Sequence, residues 1–336
     1  MNNVDILFTH PGGRGWAPVA RLARLASRVL EGRLLEYKDT GYSAALVGRG
    51  LLPRLRGGAR RAVVIAPSPA HLNVILEAMP LRSRYEAVSA WVIDSFWWER
   101  IPRIAKKRGR FDYVYVTDDG DQGHWSGVAG DIVKVLPWGT DTLSVRPRPK
   151  TVDLQRLGRQ PEDWEDDLAT KSESLVRGLV FEGRPPFEAT DLESQIHVDL
   201  ALARAKFVLA FSNRVHDTGY THPEREYLTA RWVDSLAHGA VVAGVAPRSA
   251  AAKSLLWDAA TLDLGGTNRT EGLARLAEAV AVWTPSIAER NRIEAQKRLD
   301  WRHRLKVISH DLGLEAPTLE RELAELDDES ESASLQ

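Results

Sequence analysis

The sequence predicts an α/β protein of two doubly wound, Rossmann-like domains in tandem. Three observations carry this. Short continuous Val/Ile/Leu runs alternate with amphipathic helical patterns along most of the chain, and strands written without polar alternation are covered on both faces, as in parallel sheets. Strands separated by helices are joined by right-handed crossovers. The series breaks once, at the Pro- and Arg-rich segment from Ser144 to Lys150, and then starts again. At 336 residues the chain is long enough for two full cores.

The elements follow in order. VDILFT (Val4 to Thr9) is a strand, PGGRG a turn, and WAPVARLARLASRVLEG repeats apolar residues at helical spacing. RLLEYKD is the second strand, and a helical stretch leads to RAVVIAPSPA, a buried strand ending in Pro and Ser. HLNVILEAM reads as helix, AVSAWVIDSF as strand, IPRIAKKRGR as helix and DYVYVTDD as strand, and GDIVKVLPWGTD closes the series. The second series opens with TVDLQRLGR, continues through GLVFEGRPP, and gives helix then strand in IHVDLALARAKFVLAFSN. EYLTARWVDSLAHG reads as a helix opening at Glu226 and stopped by Gly239, followed by the small-residue strand AVVAGV. ATLDLGG is a last short strand before long helices. The expected boundaries are residues 1–145 and 146–299, with an acidic, Ser-rich tail at 325–336 expected to be disordered.

Composition excludes several classes. With 45 Lys+Arg against 46 Asp+Glu the net charge is −1, without the basic bias of a dedicated nucleic-acid binder. There is no cysteine, hence no disulfide framework, thiolate metal site or Cys nucleophile. No run approaches the roughly 18 apolar residues of a membrane span, and the N-terminus enters a strand without a charged leader; a soluble cytoplasmic protein is expected. RLARLASRVL is basic and amphipathic, which permits peripheral membrane contact, although a half-buried helix is the plainer reading. The nine His lack metal-ligand spacing, and no metal is expected.

Ligands bind at the carboxyl ends of doubly wound sheets, and the polar segments fall where that rule wants them. Glu226 and Asp234, separated by seven residues, supply carboxylates that can grip the vicinal diols of a sugar nucleotide. A helix N-terminus beside Glu226 offers free amides to a diphosphate. Arg159 and Arg231 are guanidinium candidates for phosphate, although Arg231 can equally serve an intrahelical ion pair. Asn213 follows a strand at the same end. Gly12, Gly13, Arg14 and Gly15 form a turn that lets backbone approach a ligand, but their spacing is not a dinucleotide fingerprint. Asp94, flanked by Trp97 and Trp98, suits a sugar ring stacked on an indole; the plain alternative is a buried aromatic cluster. His10 and Asp94 are the candidates for a general base, should the reaction need one.

These residues carry a family resemblance. VLPWGTD (Val135 to Asp141) resembles the element that ends the N-terminal domain of GT-B glycosyltransferases, and VDLQRLGR the Gly-Arg strand that opens their donor domain. Glu226-x7-Asp234 resembles the E-x7-E signature, with Asp in place of the second Glu, and LDWRHRLKVI (Leu299 to Ile308) the terminal helix. The chain thus resembles the retaining family 4 type and its spore-maturation-like branch. The Lys-Gly start expected after Gly158-Arg159 is missing. The resemblance implies two domains facing each other across a cleft, with a C-terminal helix at about 300–317 packed back on the first. It implies metal-independent, retaining transfer of a sugar from a nucleoside-diphosphate sugar, with UDP or GDP favoured, to a carbohydrate, lipid-linked or small-molecule hydroxyl. It implies no cofactor. Glu226 would contact the donor sugar, Asp234 the ribose, and the acceptor would lie on the Trp97/Trp98 side. An epimerase or hydrolase of the same fold, or a non-catalytic scaffold, are the alternatives.

Overall fold

The computed structural model describes residues 3–11, 14–38, 58–78, 85–106, 110–215 and 221–334. It divides into two compact units, one of Met1–Trp138 with Trp301–Glu325 and one of Gly139–Asp300 with Leu326–Gln336. The helical stretch expected between the second and third strands, together with Gly12 and Gly13, lies outside the described residues.

The first unit holds strands β1 (Val4–His10), β2 (Arg33–Lys38), β3 (Arg60–Ala66), β4 (Tyr85–Val92), β5 (Tyr113–Val116) and β6 (Val133–Val135). They form one parallel sheet in the order β2-β1-β3-β4-β5-β6. Val4, Ile6, Leu7 and Phe8 are all fully buried, so β1 is covered on both faces as its apolar run requires. Helix α1 (Ala17–Val29) turns its apolar face inward, burying Val19, Leu22, Leu25 and Val29, so that face is not available to a lipid surface. The segment expected as helix from HLNVILEAM is a 3-10 turn at Pro69–Asn73 followed by the short α2 (Val74–Ala78). Among the described residues of IPRIAKKRGR, a 3-10 turn at Arg103–Lys106 stands where a helix is expected. Helix α3 spans Asp119–Ala129.

The N-terminal end of this sheet is closed by buried Asp5. It accepts from Arg33 at 3.0 Å, from Tyr85 at 2.9 Å and from Arg60. Burial alone would raise its pKa, but the bonds from Arg60, Arg33 and Tyr85 hold it below the usual carboxylate value.

The second unit holds β7 (Val152–Arg156), α4 (Glu162–Glu165), α5 (Asp167–Val176), β8 (Phe181–Glu182), α6 (Asp191–Arg204) and β9 (Ala205–Phe211). They are followed by α7 (Ala230–Ala237), β10 (Val241–Val245), α8 (Ala250–Leu255), β11 (Thr261–Asp263), α9 (Arg269–Ala281) and α10 (Pro285–Leu299). The parallel sheet has the order β11-β10-β9-β7-β8. Gly239, at φ +82°, closes α7 as the sequence predicts, and a Cβ there would stand 2.7 Å from the Ala288 carbonyl of α10.

Two helices complete the chain. The long helical run expected after Ser286 is broken at Asp300, whose carboxylate accepts from the backbone and hydroxyl of Thr142 at 2.9 and 2.5 Å. Helix α11 (Trp301–Asp311) then belongs to the first unit, where Asp311 accepts from Tyr115 of β5 and Lys134 of β6, both at 2.7 Å. Helix α12 runs Pro317–Ser334, through residues whose composition predicts a disordered tail. Leu319, Leu323 and Leu326 are buried, and Glu322 bonds Arg28 and buried Arg302. This anchorage lets the helix continue into the acidic stretch. Among the described residues no helix is long and apolar enough to cross a membrane.

Candidate functional site

Both sheets reverse direction next to their first strand. In the first unit β1 lies between β2 and β3, and in the second β7 lies between β8 and β9. Such a reversal sends the two loops beside it to opposite faces and leaves a crevice at the carboxyl ends of the strands.

In the second unit that crevice is a cavity of about 80 Å³, lined by Arg159, Ser212, Asn213, Thr229, Arg231 and Trp232 among others. One water takes about 30 Å³ in the liquid, so the space suits a phosphate-sized group. The residues after β7 turn through Gly158 at φ +63°, a conformation that glycine adopts without strain. Arg231 braces this turn: its Nη1 donates to the Arg159 carbonyl at 2.9 Å and to that of Leu157 at 3.3 Å. Arg231 thus positions the backbone that carries Arg159.

Helix α7 starts at Ala230, four residues later than the helical spacing from Glu226 predicts. Thr229 is its N-cap, but the Thr229 hydroxyl makes no capping bond, and its buried Oγ1 has no hydrogen-bond partner. The first turn of α7 therefore keeps donors that a ligand can use. Asn213 donates from Nδ2 to the carbonyls of Arg225 (2.7 Å) and His222 (3.0 Å), while its buried Oδ1 has no partner. An uncapped helix start, two unsatisfied oxygens and an arginine thus surround one small cavity. The sequence motifs point to neither Ser212 nor Thr229. The signal was available for Thr229, since a Thr just ahead of the apolar pair Trp232-Val233 is an N-cap pattern.

Glu226 precedes the helix in irregular chain and is half-buried. It accepts from the Ser212 hydroxyl at 2.6 Å and from the Arg248 amide at 3.1 Å. It therefore ties the end of β9 to the segment after β10. Glu226 and Asp234 do not share a helix. Asp234 is 6% exposed and accepts from the Thr140 hydroxyl at 2.6 Å, in the interior of the unit and away from the lining of the cavity. The contact with Thr140 occupies one oxygen of the carboxylate that the resemblance assigns to ribose.

In the first unit Asp94 follows β4. It is half-buried, and its carboxyl has no hydrogen bond or ion pair among the described residues. Burial pushes its pKa from 3.8 to about 7. That places it near the value suited to exchanging a proton at neutral pH. Trp97 and Trp98 follow, each with one ring face already covered. Trp98 stacks on His124 at 3.6 Å between centroids, and the Arg100 guanidinium lies 3.7 Å from the Trp97 centroid. His10 ends β1 with Nδ1 2.9 Å from the Pro11 carbonyl. Gly15 is exposed with open space around it, within the turn Arg14–Trp16. Among the described residues no group of three metal-ligating side chains occurs.

No family model matches the chain, and no curated protein matches it. Solved structures resemble it at low identity. A TarM variant of S. aureus in complex with Fondaparinux, alpha-GlcNAc-glycerol and UDP is 8% identical, with 75% of this chain and 55% of that one covered and a TM-score of 0.46. S. aureus MnaA with UDP is 10% identical over 92% of this chain and 96% of that one, with a TM-score of 0.47. A GtfA/B complex is 12% identical over 86% and 61%, with a TM-score of 0.41. The chain spans about half the length of the TarM structure. With every score below 0.5, the site is read from its own residues. The fold is two parallel-sheet α/β units of six and five strands. The narrower family 4 and spore-maturation likeness is not matched by any family model.

Proposed function

We propose that the chain transfers a sugar from a nucleoside-diphosphate sugar to an acceptor hydroxyl. The observation that carries this reading is the cavity at the switch point of the second sheet, where Arg159 and the uncapped start of α7 meet.

The diphosphate would sit against the first turn of α7, with Arg159 on its charge and Arg231 holding the Gly158 turn in place. As the bond between sugar and phosphate breaks, negative charge grows on the leaving diphosphate, and fixed donors that need no rearrangement stabilise it. Glu226, held by Ser212 and the Arg248 amide, would offer its carboxylate to the donor sugar hydroxyls. Asp94, in the first unit, is a candidate proton acceptor on its own, ionised above about pH 7.

The test is thermal stabilisation by UDP, GDP, dTDP and ADP, followed by transfer assays with their sugars. A ligand at about 100 times its dissociation constant adds roughly 2.7 kcal/mol of stability. Stabilisation by one of them, lost in Arg159→Ala, supports the site. No response to any of the four rejects it. Release of free sugar at the same rate with and without acceptor would instead mark a hydrolase.

A further inference from the structure

The second unit carries another, larger cavity, of about 530 Å³, beside the edge strand β8. Four cationic side chains from four separate segments line it: Arg148 ahead of β7, Lys171 on α5, Arg184 after β8 and Arg204 at the end of α6. Two carboxylates share the lining, and both are engaged. Glu182 pairs with Arg204 at 2.6 Å, and Asp167 accepts from Arg156 at 2.6 Å. Arg184 has one long contact, 3.7 Å to Glu165. Arg148 and Lys171 have no ion pair or hydrogen bond among the described residues. The cavity therefore has a surplus of positive charge, and two of its cations are uncommitted.

A second observation is independent of charge. Gln155 of β7, 1% exposed, also lines the cavity. Its Nε2 donates to the carbonyls of Gly183 (2.7 Å) and Glu182 (3.3 Å), which fixes the amide orientation, and its buried Oε1 has no hydrogen-bond partner. Such an acceptor costs stability unless a donor reaches it. The remaining wall is apolar. Leu168, 79% exposed, lies on it with Phe181 and the half-exposed Leu200. Leu168 thus offers an apolar surface beside the basic side chains.

We propose that this cavity binds a phosphorylated organic small molecule. The phosphate would be held by Arg148 and Lys171 with the guanidinium groups of Arg184 and Arg204 around it, which suit tetrahedral oxyanions. The apolar body of the ligand would rest on Leu168, Phe181 and Leu200, and a hydroxyl or a bridging water would satisfy Gln155. The volume lies within the range of small-molecule sites, roughly 300–1,000 Å³. This site is separate from the switch-point cavity and shares none of its lining residues, so the proposal stands whether or not the transferase reading does.

The experiment is isothermal titration of the full chain with phenyl phosphate and, separately, with inorganic phosphate, at low salt so that exposed charges are not screened. Three proteins are compared: the unaltered chain, Arg148→Ala with Lys171→Ala, and Arg159→Ala. Both altered cations of the double variant are exposed and unpaired, so it folds, and circular dichroism checks this. Phenyl phosphate should bind the unaltered chain more tightly than inorganic phosphate. The double variant should weaken it tenfold or more, and Arg159→Ala should leave it unchanged. Absence of binding at millimolar phenyl phosphate overturns the proposal, as does equal affinity in the double variant. Loss in Arg159→Ala alone overturns it too, because it places the phosphate in the other cavity.

Discussion

Replacing Asp94 by Asn keeps the shape of the side chain and removes its titration. Burial pushes the Asp94 pKa from 3.8 in the unfolded chain to about 7 in the fold. Between those values the folded protein holds a proton that the unfolded chain has released. Stability therefore falls as pH rises through this window, and the full penalty is in place above about pH 7. A difference of about three pKa units corresponds to about 4 kcal/mol. Asp94 is half-buried rather than sealed, and residual contact with water reduces this to on the order of 2 kcal/mol. Urea denaturation near pH 5 and pH 8.5, reading the transition of the first unit, checks it. The two units can unfold separately, so that transition has to be assigned first. Asp94→Asn should be more stable than the unaltered chain by about 2 kcal/mol at the higher pH, and by clearly less at the lower. A stability difference that is the same at both pH values would refute the burial argument.

Other expectations bear on the second unit. Arg231→Lys loses the fork that holds the Leu157 and Arg159 carbonyls together, so nucleoside diphosphate affinity in titrations should drop about tenfold; unchanged affinity would deny Arg231 its bracing role. Gly244→Ala would put a Cβ 1.8 Å from the Ala210 carbonyl across the β9–β10 pair. It should cost about 2–3 kcal/mol in thermal or urea unfolding, and a melting temperature unchanged within error would contradict that packing. Lys150 donates to the Leu202 and His238 carbonyls, and burial, with Arg292 nearby, lowers its pKa from 10.5 to about 7. Between those values the unfolded chain binds the extra proton, so stability should rise with pH from about 7 towards 10. In Lys150→Met that part of the slope should vanish, and its persistence would show that Lys150 is charged in the fold.

The continuous apolar runs made the sheets legible, because a strand buried on both faces has no polar alternation to disguise it. β1, β3, β4 and β9 fall where those runs lie. Helix starts were harder to read. The stretch EYLTARWVDSLAHG keeps helical spacing back to Glu226, yet the backbone becomes helical only after Thr229. The carboxylate of Glu226 is instead used to bridge Ser212 and Arg248. Those contacts join residues 14 and 22 positions away and leave no local trace. Asp234 shows the same limit, since its partner Thr140 lies 94 positions earlier. The tail read as disordered from its acidity, but its start is pinned by buried leucines and by the Glu322 pair with Arg302. Asp94 was legible as a candidate from its place after β4, whereas its lack of partners could be seen only in three dimensions.

A crystal of the full chain soaked with UDP, or with GDP if the thermal screen selects it, puts the donor site to the strictest test. The diphosphate is expected against the first turn of α7, within hydrogen-bond reach of Arg159 and the Thr229 hydroxyl. Density for the nucleotide elsewhere on the second unit, or an unchanged cavity at saturating nucleotide, would contradict the reading.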